Sequence, residues 1–134
     1  MHGFVISPAA ERDILSILAW THERFGAQGR LRYEALLVRA ILDVAHDPGR
    51  PGSQTRSEIA PASRTYHLWH SRDRVEPASE RVRRPRHFLL YRTRDDGRVE
   101  IGRILHDRMD LAQHLPDDFG PESAGQPPPD SPSR

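Results

Sequence analysis

The sequence predicts a small α+β domain ordered β-α-α-β-β-β, in which a helix hairpin packs on one face of a mostly antiparallel sheet and a short C-terminal helix closes the chain. Three observations predict it. A short apolar run, Phe4-Val5-Ile6, stops at Ser7-Pro8. Two amphipathic stripes follow, separated at Gly26. Two strand-like segments then flank the turn signal Asp95-Asp96-Gly97.

Ser7 suits a helix start because its hydroxyl can accept from a free amide of the first turn, while Pro8 takes the first helical position without losing a needed donor. In the helix that follows, Ile14, Ile17, Leu18 and Phe25 recur at helical steps, with Glu11, Arg12, Glu23 and Arg24 on the remaining arc. Gly26 provides a stop. A second stripe, Tyr33, Leu36, Leu37, Ala40, Ile41 and Val44, places a helix at about 28–46, ended by Asp47-Pro48. Helices joined by so short a turn form an antiparallel hairpin.

Residues 48–64 are rich in Pro, Gly and Ser and read as a long connection, before strand-like composition returns over 65–71. A polar, arginine-rich segment occupies 72–85. The second strand of this group is expected at 86–94 and the last from Arg98 onward, where Val99 and Ile101 alternate with Glu100 and the run thickens into Ile104-Leu105. His106 ends it. Asp107 then serves as the expected cap of a closing helix carrying Met109, Leu111, Ala112 and Leu115 and stopped by Pro116. Residues 1–116 make one domain. Residues 117–134 lose all periodicity, end in GQPPPDSPSR and are expected to be a disordered, acidic, Pro-rich tail that could screen the basic sheet in cis.

Composition narrows the function classes. The 20 basic residues are all arginine and none is lysine, so every cation can make forked contacts to phosphate or carboxylate. The net charge of +1 hides an asymmetry, since residues 81–108 hold nine Arg against four acids. The absence of Cys excludes a disulfide framework and thiolate chemistry. No run approaches the roughly 20 apolar residues that a membrane span needs, and the N-terminus lacks a signal-peptide pattern, so a cytoplasmic protein is expected. Phosphate-binding glycine loops and nucleophile elbows are absent from the sequence. Neither a metal nor a cofactor is expected: His67 and His70 are three apart, which on a strand turns them to opposite faces.

A sheet covered by helices on one side needs only one apolar face, so the other is the expected working surface. Arg83, Arg84, Arg86, Arg92, Arg103 and Arg108 would make it basic, either as an attractor for an acidic partner or as a solvated face that keeps the sheet soluble. His106, at a strand end, is either a proton-transfer group or a bridge to Asp110.

The ordered set Ser7-Pro8, then Tyr91-Arg92 closing VRRPRHFLLYR, then Ile101, Arg103, Ile104, Leu105, His106 and Asp110 in the last strand and beyond resembles the RelE/ParE superfamily of toxins from type II toxin–antitoxin systems, nearer the ParE branch. The resemblance covers about 3–116. It implies the RelE/ParE-like fold, growth arrest by binding DNA gyrase without catalytic residues, and neutralisation by a cognate ParD-like antitoxin whose C-terminal segment wraps the toxin. By the same resemblance the target-binding residues are Arg86, Tyr91, Arg92, Arg103, His106, Arg108 and Asp110. Leu15, Trp20 and Leu37, off or at the margin of the main stripes, are the antitoxin-contact candidates. The alternative within the superfamily is a ribosome-dependent mRNA endoribonuclease, in which Arg92 or Arg103 would supply the cation and His106 the acid. No carboxylate stands in the motif as its base, which argues against that activity. An inactive relative is the third reading. The connection at 48–64, the segment at 72–85 and the tail exceed what a compact toxin of this kind needs.

Overall fold

The computed structural model describes residues 3–108 of the 134-residue chain. Five strands and one long helical stretch form the domain: β1 (Phe4–Ile6), α1 (Pro8–His46), β2 (Ser53–Thr55), β3 (Ser63–His67), β4 (His87–Thr93) and β5 (Val99–His106), with short 3-10 helices at Leu68–Arg74 and Ala78–Glu80. The sheet order is β1-β5-β4-β3-β2. β1 runs parallel to β5 and the other pairs are antiparallel.

The helix start follows the expected chemistry. The Ser7 hydroxyl accepts from Ala10 N–H at 3.0 Å and donates to the Gly102 carbonyl at 2.8 Å, so the cap is also a tie to β5. The stretch α1 breaks at Gly26, whose backbone (φ 80°, ψ −176°) lies in a region that residues with a Cβ rarely visit. The two arms, 8–25 and 27–46, run in opposite directions along the sheet. Asp13 lies beyond Ser7 toward the end of β5, at Ile104, whereas Tyr33 lies beside His87 and Pro48 at Tyr91. The hairpin is therefore present, and both arms contribute to one core.

That core joins Ala10, Ile17, Leu18 and the whole 33–44 stripe to Leu89, Tyr91, Val99, Ile101 and Ile104 of the sheet. Phe25 departs from its expected place. It is 66% exposed, because the chain turns at the following glycine and carries the end of the first arm away from the sheet.

Three further expectations are corrected. The strand expected over 65–71 is β3 (Ser63–His67); the backbone then coils into the Leu68–Arg74 turn because the His67 ring accepts from Trp69 N–H and because Leu68 and Ser71 are drawn inside. The connection at 48–64 contains the edge strand β2, which pairs with β3 through backbone bonds that leave no apolar signature. The outer sheet face is not open along its length. Leu90 and Leu105 pack there with Ala60, Ile59 and Phe88, so residues of the β2–β3 loop cover part of it. The closing helix, Asp110 and the tail lie outside the described residues.

Candidate functional site

The start of β4 and the end of β5 meet in the pair His87 and His106, whose rings stand nearly perpendicular with centroids 5.4 Å apart. Tyr33 reaches them from the second arm of α1. Its hydroxyl accepts from Arg86 N–H at 3.1 Å and lies 2.7 Å from His87 Nδ1. Burial first, and the neighbouring His106 second, push His87 down to about 4, while burial pushes Tyr33 up to about 12. Both shifts describe one neutral pair, with the phenol donating to an unprotonated imidazole.

Asp107 is the hub of the exposed layer. One carboxylate oxygen accepts from His67 Nε2 at 3.1 Å and the other from Arg86 at 3.3 Å, while His106 Nδ1 stands 3.5 Å from the latter without donating to it. Desolvation opposes its ionisation, but the His67 bond and the Arg86 charge outweigh it and hold the carboxyl below its usual range. The backbone sets the imidazole tautomers. His67 Nδ1 accepts from Trp69 N–H, which places its proton on Nε2 facing Asp107. His106 Nδ1 accepts from Arg108 N–H, which leaves Nε2 as the donor of that ring. Arg83, Arg84, Arg86 and Arg108 are exposed around this end of the sheet. The arrangement is a rigid cationic rim around one carboxylate, suited to docking on an acidic surface.

The expected target-binding residues divide. Arg86, His106 and Arg108 belong to this rim. Tyr91 is fully buried and donates to the Pro48 carbonyl at 2.7 Å, so its side chain serves the core. Arg92 lies against buried Glu100 at 3.2 Å. Arg103 grips Asp13 through two hydrogen bonds of 2.7 and 3.0 Å. Both arginines are thus engaged by carboxylates rather than turned into a solvated sheet face. Of the antitoxin-contact candidates, Leu15 and Trp20 are 68% and 51% exposed, whereas Leu37 is buried in the core at 2%.

Sequence reasoning missed Asp13, Glu100 and the linking role of Asp107. Asp13 and Asp107 take their roles from elements distant in the chain, which no local pattern carries, whereas Glu100 faces Arg92 across the β4–β5 hairpin, whose register was the signal that could have found it. Asp43 was legible in principle as a charge inside the apolar run Ile41 to Val44. It is 1% exposed and surrounded by Arg39, Arg50, Arg74 and Ser71.

A family model described as the ParE toxin of the type II toxin–antitoxin system parDE matches residues 4–111. The chain belongs to the ParE toxin family. Among curated relatives, Toxin ParE1 of Mycobacterium tuberculosis is 25% identical over 112 residues, covering 84% of this chain and 96% of the relative. Toxin ParE of Escherichia coli is 27% identical over 117 residues, covering 87% and 96%. The ParE-family chain is therefore a toxin-type component of a two-part system in which toxin and antitoxin are paired. Among its described residues no helix is long and apolar enough to cross a membrane.

Proposed function

We propose that this ParE-family chain arrests growth by binding DNA gyrase, and that a ParD-like antitoxin neutralises it. The observation that carries the reading is the engagement of Arg92 and Arg103 by Glu100 and Asp13. A ribonuclease of the related branch would need one of these cations aimed at the phosphorane; here Arg103 commits both Nε and a terminal amino group to Asp13, and Arg92 is turned to Glu100 of the neighbouring strand. Docking asks only for a rigid, charged surface. The rim of Arg86, His106 and Arg108 with Asp107 is the proposed gyrase contact.

The antitoxin contact is assigned to the solvent-exposed side chains of the first helical arm. Leu15 and Trp20 are exposed there, and Trp20 meets Phe25 edge-on at 6.1 Å with Arg24 5.0 Å above its ring. An amphipathic segment that is disordered when free gains its affinity by burying such side chains.

The test is tightly controlled expression in a gyrase-bearing bacterial host, following DNA synthesis, protein synthesis and mRNA integrity through the first minutes of arrest, with purified chain added to a gyrase supercoiling assay. Early loss of DNA synthesis with intact mRNA, together with inhibited supercoiling, is expected. Prompt mRNA cleavage would overturn the reading in favour of an endoribonuclease, and undisturbed growth in favour of an inactive relative.

A further inference from the structure

Away from the sheet-end rim, the C-terminal part of α1, the residues after it and the Leu68–Arg74 turn border a half-open cavity of about 310 Å³ lined by Arg39, Leu42, Asp43, His46, Arg50 and Arg74. Its charge is unbalanced. Three guanidinium groups converge on the single carboxylate of Asp43, at 3.1 Å from Arg39, 3.0 Å from Arg74 and 3.6 Å from Arg50, which leaves a surplus of two positive charges. Asp47 and Asp73, adjacent in sequence to these elements, are not among the lining residues.

The carboxylate organises the arginines without consuming them. Asp43 is fixed from behind by the Ser71 hydroxyl, which donates to it at 2.6 Å and itself lies 2.7 Å from the Tyr66 hydroxyl. Arg39 and Arg74 reach Asp43 by hydrogen bond only through Nε, so their terminal amino groups make no hydrogen bond among the described residues. Arg50 Nε is buried with no hydrogen-bond partner among them. Buried donors are almost always satisfied, and forked guanidinium groups match the oxygens of a tetrahedral oxyanion. Leu42 adds an apolar wall.

We propose that this cavity binds a dianionic phosphate group, either free or as the monoester of a small metabolite. Its volume lies at the lower end of the roughly 300–1,000 Å³ usual for small-molecule sites, which accommodates a phosphate with a small organic substituent. The site is separate from both surfaces assigned to gyrase and antitoxin.

Calorimetric titration of the full chain at constant ionic strength tests this, with inorganic phosphate, adenosine monophosphate and sodium chloride as separate titrants. Phosphate or the monoester should bind with one-to-one stoichiometry while chloride does not; the tighter of the two identifies the source. Arg74→Ala, and separately Arg39→Gln, should each weaken binding at least tenfold while far-ultraviolet circular dichroism stays unchanged. Arg98→Ala, on the β4–β5 turn, should leave binding intact. Absence of binding by both phosphate titrants would overturn the proposal, as would equal affinity in the folded Arg74→Ala and Arg39→Gln proteins or a loss in Arg98→Ala matching theirs.

Discussion

Arg103 and Asp13, 90 positions apart in the chain, form a two-point ion pair, and the same carboxylate also accepts from Ile104 N–H at 2.9 Å. β1 pairs with β5 only as far as Ile101, and Ser7 takes up the next carbonyls. Beyond that point Asp13 does for the edge of β5 what a longer β1 would have done.

Removing Asp13 should therefore cost stability even though both partners are only part-buried. Asp13→Ala removes both the two-point contact to Arg103 and the acceptor of the Ile104 N–H, and a loss of about 2–3 kcal/mol is expected in urea unfolding. Arg103→Ala should cost less. The double variant should be less destabilised than the sum of the single ones, because each removes the same interaction; strict additivity would show that the pair does not act as a clamp.

Asp43 is the more sensitive position. Asp43→Ala would leave Arg39, Arg50 and Arg74 facing one another where a carboxylate only 1% exposed had stood, and about 2–3 kcal/mol of destabilisation is expected, short of the fully buried case because Arg39 and Arg74 are partly solvated. Thermal unfolding compared with Arg39→Ala, which keeps two cations on the carboxylate, separates loss of the hub from loss of one spoke. The hub variant should melt well below the spoke variant.

Stability should fall as acid is added through the window set by His87. The unfolded chain takes up its proton near the ordinary value of 6.5, whereas the folded chain takes it up only at about 4. Between those values the unfolded state binds more protons, so the contribution is complete above pH 6.5 and is lost progressively as pH falls toward 4. About 3 kcal/mol is expected across the window. His70, also lowered by burial, acts in the same direction. His87→Gln should flatten the profile between these limits in chemical denaturation; an unchanged slope would assign the dependence to other groups.

Leu15, Trp20 and Leu37 should respond differently to substitution. Trp20→Ser and Leu15→Glu should weaken antitoxin capture by tenfold or more in a pull-down or titration while leaving unfolding midpoints nearly unchanged, since both side chains are exposed. Leu37→Ala should lose about 2–5 kcal/mol of stability through the cavity it leaves. Any effect of Leu37 on antitoxin binding should follow from that loss.

Much of the fold was legible because the patterns that encode it are local. The helical stripe from Tyr33 to Val44 is buried as its spacing predicts, and Ser7 caps α1 as its place before Pro8 predicts. The edge strand β2 was not legible, since Ser53–Thr55 is held by main-chain bonds to β3. The site was only partly so. Arg86 and Arg108 could be read as exposed cations flanking His106 at a strand end, and the Asp95-Asp96-Gly97 hairpin could have placed Glu100 opposite Arg92, but nothing near Arg103 in the chain announces Asp13 beside it.

The amino-acid order alone determined the two helical arms, the strands β1, β4 and β5, the reversal at Gly26 and the basic character of the 81–108 region, because periodicity, backbone freedom and charge are properties of neighbouring residues. Tertiary structure decided which arginines fasten the fold and which face outward. That choice depends on carboxylates brought across the sheet or from α1, and an ion pair is defined by distance in space, to which separation along the chain is no guide.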